Sequence, residues 1–238
     1  MSAPRILFLD IETRPMLVHA WQMRDVNVSL NQVMEFGGTI CVGAGWAGEK
    51  VQFFSDWTDG HRAMLEAVHK LWCEADVIIG YNHERFDLRK LRSEMAKENM
   101  APPPPVTTID LYRTVRSQFG LDSNKLDHVA QILGLGSKIK HEGHGLWTKV
   151  LAGDPSAQKR MERYCVQDVR LTERVYRRIL PWINNHPHLG CTAPTACGSC
   201  GSARTQRRGV RRTKASLIER VHCQACGSWQ DGSRAKAA

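Results

Sequence analysis

The sequence predicts an α/β layered domain over residues 1–182, a linker over 183–196 and a small cysteine-rich unit over 197–238. Short apolar runs typical of strands alternate with segments of helical periodicity through the first part of the chain, which favours a sheet flanked by helices. The composition then changes. Residues 185–238 hold nine basic and two acidic side chains, whereas residues 1–184 hold 24 and 22. Such a basic block typically binds phosphates or solubilises the chain.

The overall composition is that of a globular protein, with 42% hydrophobic and 24% charged residues and a formal net charge of +9. No apolar run approaches the roughly 20 residues that a membrane-spanning helix needs. The N-terminal apolar run, residues 6–9, ends at Asp10 and is too short for a secretory signal. We therefore expect a cytoplasmic protein without membrane association, in which disulfide bonds are disfavoured.

The first elements follow from hydrophobic patterning. Residues 5–9 form an apolar run that favours a buried strand, and two further strands are expected over 39–46 and 51–54. A helix is expected from about Asp59, whose side chain suits an N-cap. Residues 14–36 carry no assignable pattern.

Later elements alternate in the same way. A helix over 124–135 carries an apolar stripe that includes Ile132, and a glycine-rich basic loop follows over 134–145. Asp154 followed by a proline is a typical helix start, and Pro181 ends that helix. The other expected elements are strands over 76–81 and 106–111 and a polar helix over 84–99.

Two acids close the first predicted strand. Asp10 and Glu12 are two residues apart, so they project from the same face of that strand. Their mutual repulsion is relieved by water at a solvated strand end or by a divalent cation, and carboxylate oxygens suit Mg²⁺ or Mn²⁺.

Two further acids stand in unusual positions. Asp168 lies on the apolar stripe of the last long helix, four residues after Tyr164, where a carboxylate requires either a metal ion or a basic partner. Asp87 follows a strand and opens a helix, where it can also stabilise the helix dipole. The nearby candidates for pairing with Asp168 are Arg163, Arg170 and Arg174.

Together these segments resemble the DEDD superfamily of 3′–5′ exonucleases. The resemblance covers roughly residues 5–180 and rests on three motifs in the expected order: Phe8-Leu9-Asp10-Ile11-Glu12-Thr13, Asn82 to Phe86-Asp87, and Tyr164 to Asp168. Lys125-Leu126-Asp127 resembles a common intervening segment. One branch of the superfamily places a histidine where Arg163 stands, and the other places a tyrosine where Tyr164 stands, so the chain resembles the tyrosine branch.

The resemblance implies a ribonuclease-H-like mixed sheet flanked by helices, and a two-metal exonuclease with Mg²⁺ or Mn²⁺. By that resemblance Asp10 bridges both ions, Glu12 and Asp168 bind the ion that activates water, and Asp87 binds or supports the ion beside the leaving 3′ oxygen. Tyr164 orients the water, and the product is a 5′-mononucleotide. Candidate contacts to the terminal nucleotides are Thr13, Asn82 and Phe86.

The expected substrate is single-stranded DNA, with RNA as the near alternative. A non-catalytic module that binds nucleic acid or docks on a polymerase is a different class of hypothesis, and the presence of all four acids and the tyrosine disfavours it. A separate polymerase or another replication or repair protein is a candidate partner. In the basic loop, Lys138 and Lys140 are expected to contact the nucleic-acid backbone or to face solvent.

The tail carries two Cys-x-x-Cys pairs, Cys197/Cys200 and Cys223/Cys226, each followed by glycine. They resemble the two knuckles of a zinc ribbon with one structural Zn²⁺ bound by four thiolates, and disulfides or free thiols are the alternatives. Between the pairs lies a basic hairpin expected to contact phosphates or to dock a protein. Trp229 is expected to pack in the core of the ribbon, and stacking on an unpaired base is the alternative. The cations of the hairpin are Arg204, Arg207, Arg208, Arg211, Arg212 and Lys214.

Overall fold

The computed structural model describes residues 4–189 and 195–236. Residues 190–194 of the expected linker, Cys191 among them, and the chain ends at 1–3 and 237–238 lie outside the described residues. Within residues 4–189 and 195–236, ten strands and six α-helices follow in chain order: β1 Ile6–Thr13, β2 Leu17–Val18, β3 Val33–Glu35, β4 Thr39–Trp46, β5 Gln52–Ser55, α1 His61–Glu74, β6 Val77–Gly80, α2 Asp87–Lys97, β7 Thr107–Asp110, α3 Leu111–Gln118, α4 Leu126–Ile132, α5 His144–Leu151, α6 Pro155–Ile179, β8 Thr205–Arg212, β9 Ser216–Cys223 and β10 Trp229–Lys236.

The main sheet is mixed, with strand order β5-β4-β1-β6-β7. The first three strands pair antiparallel, and β1, β6 and β7 pair parallel. This arrangement, with helices on both faces, confirms the predicted ribonuclease-H-like architecture. A separate antiparallel sheet, β10-β9-β8, forms the C-terminal unit.

Side chains alternate along β1, so apolar residues of this strand pack on both faces of the sheet. Leu7 and Leu9 pack in one apolar cluster with residues of α1 and α2, while Phe8 packs in the other with residues of α3, α4 and α6. Because side chains alternate along a strand, Asp10 and Glu12 share the face of Phe8, beneath α6. None of the helices in the described ranges is long and apolar enough to cross a bilayer.

Helix α6 begins and ends as predicted. The Asp154 carboxylate accepts the N–H groups of Ser156 and Ala157 at 2.8 and 3.2 Å, and Pro155 occupies the first turn. These contacts satisfy N–H groups that have no partner within the helix. The helix runs to Ile179, and Pro181 lies in the short 3₁₀ turn that follows.

Two predicted helix starts are wrong. Gly60, not Asp59, is the N-cap of α1, because the Asp59 carboxylate instead accepts the Ser55 N–H at 2.8 Å. The helix expected from residue 84 begins at Asp87. Residues before it form a turn in which Asn82 has a positive φ of 63°, a left-handed conformation that cannot continue a helix.

Several local expectations in the second half are also wrong. The strand expected to include Leu111 ends one residue earlier, because Asp110 caps α3 by accepting the Tyr112 N–H at 3.0 Å. Part of the expected basic loop is α5. Ile132, expected on the inner stripe, is 53% exposed because α4 ends there. Trp229, expected in the ribbon core, is 53% exposed and packs against His222 with ring centroids 4.6 Å apart.

Candidate active site

Three carboxylates from two elements meet at the end of the main sheet. Asp10 and Glu12 project from β1, and Asp168 projects from α6, which covers that face. One oxygen from each of the three lies within 4.8 Å of the others. The side chain of Asp168 is 1% exposed, so it is removed from water in the company of two other acids. This is a donor set that suits a hard cation.

Asp87 lies beside this group, but it is not one of the acids whose oxygens all lie within 4.8 Å of one another. It opens α2, and its Oδ1 accepts the backbone N–H of Ile11 at 3.1 Å. Ile11 stands between Asp10 and Glu12, so the Asp87 carboxylate is fastened to the segment of β1 that carries both acids. The structure thus brings all four predicted acids to the same end of the sheet.

Burial raises the pKa of all four acids. Burial is the largest cause in each case, and neighbouring carboxylates add to it for Asp10 and Glu12. The pKa of Glu12 rises to about 8 and that of Asp87 to about 7. The buried Oδ1 of Asp168 has no hydrogen-bond partner in the described part of the chain. Both features indicate that a positive charge belongs among these groups.

Lys138 supplies part of that charge, and the sequence analysis did not place it in the site. Its Nζ lies 2.6 Å from Asp168 Oδ2 and 3.1 Å from the Tyr164 hydroxyl. The expectation that Lys138 simply faces solvent is therefore wrong, whereas its contact with a nucleic-acid backbone stays a prediction. The partner of Asp168 is this lysine rather than an arginine of α6. Burial by itself would lower the pKa of Lys138. The negative charge of Asp168 has the larger opposite effect, so the pKa of Lys138 is raised. No local pattern marks this lysine.

Lys138 reaches the site because its loop is anchored. Its backbone N–H donates to Asp127 Oδ1 at 2.7 Å, which ties the loop to α4. Asp127 belongs to the Lys125-Leu126-Asp127 segment singled out in the sequence. The carboxylate therefore positions the loop from outside the group of buried acids.

Tyr164 stands one helical turn before Asp168 on the same face of α6, as the i to i+4 spacing predicts. His141 and Trp147 flank its ring, with centroids 4.8 and 6.3 Å away. Burial, followed by the charge of Asp168, raises the pKa of Tyr164. Its hydroxyl therefore stays protonated at neutral pH and can donate a hydrogen bond.

A cavity of about 360 Å³ opens beside the acids. Glu12, Thr13, Phe86 and Trp147 are among its lining residues. Phe86 is 48% exposed, so it is a surface group and not part of the core. Two predicted nucleotide contacts, Thr13 and Phe86, thus line the same cavity as the catalytic candidate Glu12. Trp147 also lines this cavity, and no pattern in the sequence predicted it.

Asp110 organises the loop before Asp87, and it too was missed. Its carboxylate accepts the backbone N–H groups of Asn82 and Glu84 at 2.8 and 3.3 Å. His83 is 1% exposed below this turn, with Nδ1 3.8 Å from Asp110 Oδ2. Asn82 itself is exposed, and its side chain is free to reach a ligand.

The four cysteines of the tail form a second cluster. The sulfur atoms of Cys197, Cys200, Cys223 and Cys226 all lie within 4.8 Å of one another, with two pairs at 3.7 Å. Sulfurs about 2.3 Å from a tetrahedral zinc ion are about 3.8 Å apart, so the donors fit this metal. Burial raises the pKa of Cys223, but backbone N–H groups of Cys226 and Ala225 outweigh it, and the pKa falls to about 7.

The arginines of the hairpin fall into two classes. Arg207 pairs with Glu219 at 3.1 Å and Arg211 with Asp231 at 2.6 Å. The exposed Arg204, Arg208 and Arg212 have no ion pair with any described residue. The unpaired arginines are the ones whose charge is available to an external anion.

Comparison with known proteins agrees with this architecture. The family described as the RNase_H superfamily matches residues 7–180. No curated protein matches the chain. Among solved structures, the family B DNA polymerase from the hyperthermophilic archaeon Pyrobaculum calidifontis is similar, with 20% sequence identity and a TM-score of 0.57 over 76% of this chain and 25% of the polymerase chain. Because the family match spans most of the sequence, including all four acids, the chain belongs to the RNase_H superfamily.

Proposed function

We propose that the protein is a metal-dependent 3′–5′ exonuclease that hydrolyses single-stranded DNA to 5′-mononucleotides. The observation that carries the proposal is the meeting of Asp10, Glu12 and Asp168 within 4.8 Å, with Asp87 hydrogen-bonded to the strand between the first two. Buried like charges destabilise a fold unless they serve a ligand. The fold of the RNase_H superfamily supports nuclease chemistry at this site.

The residues fit two Mg²⁺ or Mn²⁺ ions. Asp10, Glu12, Asp87 and Asp168 would hold them, since hard carboxylate oxygens are the preferred donors of these ions and Asp168 Oδ1 has no partner in the described residues. When bound, the ions supply charge neutralisation at the scissile phosphate and lower the pKa of the attacking water.

The chain's own groups orient the reactants. The Tyr164 hydroxyl remains protonated, so it acts as a hydrogen-bond partner that positions the water and not as a general base. The cavity lined by Thr13, Phe86 and Trp147 accommodates the terminal nucleotide, and its aromatic rings suit stacking on a base. The exposed side chain of Asn82 is a further candidate contact.

DNA is favoured over RNA because a similar solved structure is a DNA polymerase. The same similarity supports association with a polymerase as the biological setting. The four cysteines would bind one structural Zn²⁺ and hold the hairpin rigid, so that Arg208 and Arg212 contact phosphates without reading sequence.

The decisive assay uses single-stranded DNA labelled at its 5′ end, incubated with Mg²⁺ or Mn²⁺. We expect a ladder that shortens from the 3′ end and releases 5′-mononucleotides. Asp87→Ala removes a carboxylate from the site and should abolish degradation while leaving binding of the strand intact. A parallel reaction with RNA of the same sequence compares the two sugars.

Asp122→Ala is the matched control, because Asp122 is an exposed carboxylate away from the site. This control should degrade DNA at the rate of the unsubstituted protein. Degradation by Asp87→Ala at that same rate would contradict the proposed site. Faster degradation of RNA than of DNA would assign the enzyme to the exoribonucleases, and binding without hydrolysis of either would assign it to the non-catalytic class.

A further inference from the structure

A basic groove lies between α2 and α3, outside the site described above. It has a volume of about 710 Å³, and five of its lining residues are arginines: Arg85, Arg89, Arg92, Arg113 and Arg116. We call it the α2–α3 groove. Neither the sequence motifs nor the proposed chemistry assigns it a role.

Most of the positive charge in the groove is uncompensated. Arg113 pairs with Glu84 at 2.6 Å, and the guanidinium of Arg92 lies over the Trp72 ring at 5.1 Å. No carboxylate in the described ranges forms an ion pair with Arg85, Arg89 or Arg116. Three unpaired guanidinium groups around one concave surface repel one another, so an anion bound there would relieve the repulsion.

The groove adjoins the catalytic segment. Arg85 directly precedes Phe86 and Asp87, and Arg89 follows two residues after Asp87. The groove also shares Arg113 with a second cavity of about 320 Å³, which extends to Trp182 and Asn184 at the end of the main domain. The two cavities also share Glu84 and Ser117 as lining residues, so they are neighbours on one surface of the protein.

From this arrangement we infer that the α2–α3 groove binds the phosphodiester backbone of the nucleic-acid strand beyond the nucleotides held in the catalytic site. The inference rests on the proposed function, because it takes that strand to be the substrate. Guanidinium groups match phosphate oxygens through paired hydrogen bonds, and such contacts carry no sequence information.

A protein partner fits the groove less well. Interfaces between proteins have an apolar centre with aromatic or aliphatic anchors. Tyr112 is the one aromatic residue among the groove's lining residues, and it packs against Tyr81 with ring centroids 6.0 Å apart. The remaining lining side chains are arginines, Glu84 and Ser117, which suit a polyanion.

The test compares Arg89→Ala/Arg116→Ala with the control Lys97→Ala/Arg170→Ala, which removes two exposed charges outside the groove. Binding of a long fluorescent single strand is measured in EDTA over a range of salt concentrations. The groove variant should bind about tenfold more weakly, with a salt slope smaller by about 1.4, as expected for the loss of two phosphate contacts to a single strand. The control should bind like the unsubstituted protein.

A second measurement separates this inference from the proposed function. With Mn²⁺, the groove variant should show a higher KM for the long strand and an unchanged KM for a dinucleotide. Equal binding of the long strand by the groove variant and the control would overturn the inference. An equal rise in KM for the long strand and for the dinucleotide would overturn it as well. If the protein proves not to be a nuclease, the binding measurement in EDTA still decides whether the groove contacts nucleic acid.

Discussion

Four carboxyl groups and one lysine set the charge of the candidate site, with Asp87 and Asp168 buried and Asp10 and Glu12 partly buried. Burial alone disfavours the ionised form of Asp10, Glu12, Asp87 and Asp168. One ammonium group cannot balance four carboxylates, and the unpartnered oxygen of Asp168 within the described structure leaves room for a further cation. At the scale of single residues, these features support the proposed exchange of protons for metal ions at the site.

Replacing Lys138 by methionine should destabilise the ion-free protein. The substitution leaves Asp168 buried without its 2.6 Å partner, and an unsatisfied buried acceptor costs about 1–3 kcal/mol, with a larger cost when the group is charged. Urea unfolding in EDTA measures the loss, which Mn²⁺ should largely restore. Lys140→Met is the control, since Lys140 is exposed on the same loop. Equal stability of the two variants in EDTA would show that the Lys138–Asp168 contact does not stabilise the fold.

The raised pKa values also predict a dependence of stability on pH. A carboxyl group whose pKa is higher in the folded state binds more protons there, so its contribution to stability is present at low pH and is lost as pH rises. For Glu12 this window runs from its ordinary pKa of 4.5 to about 8. The Tm of the protein in EDTA should therefore fall across that window relative to the Tm of Glu12→Gln.

The comparison with Glu12→Gln is needed because burial lowers the pKa of His83, which gives a trend of opposite sign in both proteins. Divalent ions compete with protons for the same oxygens, so Mn²⁺ should raise the Tm more at the upper end of the window than at the lower end. A Tm in EDTA that rises with pH relative to Glu12→Gln would refute the assignment of a raised pKa to Glu12.

At the scale of elements, the contact between α6 and β4 determines where Tyr164 and Asp168 stand. Gly43 of β4 lies directly beneath the helix. A Cβ at this position would come within 3.0 Å of Val169 and 3.1 Å of the Cys165 sulfur. The absence of a side chain at Gly43 lets the helix approach the sheet closely enough for its acid to reach those of β1.

Gly43→Ala should therefore reduce both stability and activity. Overpacking a rigid interior costs about 1–3 kcal/mol, and a displaced α6 would carry Tyr164 and Asp168 away from β1. Thermal unfolding and the rate of DNA degradation measure the two effects. Gly120→Ala is the control, because a Cβ there meets nothing within 4 Å. An unchanged degradation rate in Gly43→Ala would mean that the site tolerates movement of α6.

At the scale of the whole molecule, the cysteine cluster and the main domain are in contact. Cys226 packs against the apolar cluster beneath α6, and the hydroxyl of Tyr176 lies 2.8 Å from His186 Nε2 in the segment leading to the ribbon. The three strands of the C-terminal sheet bury few apolar side chains of their own, so a metal ion is the expected source of their stability.

Cys223→Ser should lose the zinc ion and unfold the ribbon while sparing the main domain. Metal analysis of the purified protein should find one zinc ion per chain in the unsubstituted protein and far less in the variant. Binding of long DNA should weaken, with a smaller effect on dinucleotide hydrolysis. Cys73→Ser is the control, because Cys73 is exposed outside the cluster. A full zinc content in Cys223→Ser would exclude the proposed ligand set.

Much of the site was predictable because local backbone geometry governs it. The two-residue period of a strand places Asp10 and Glu12 on the same face of β1. The four-residue spacing of a helix places Tyr164 and Asp168 on the same face of α6. The Asp154 cap and the two cysteine pairs are equally local patterns. Each requires knowledge of neighbouring residues only, so the sequence by itself determined them.

The tertiary structure alone decided the contacts between distant segments. Lys138 meets Asp168, 30 residues away, because the loop is tied to Asp127, and Asp110 organises the turn at Asn82 from a neighbouring strand. The arginines of the α2–α3 groove converge from α2, α3 and the turn before α2, which no periodic pattern relates. Such contacts depend on how loops and helices pack in three dimensions, and packing combines many weak interactions that a short stretch of sequence does not record.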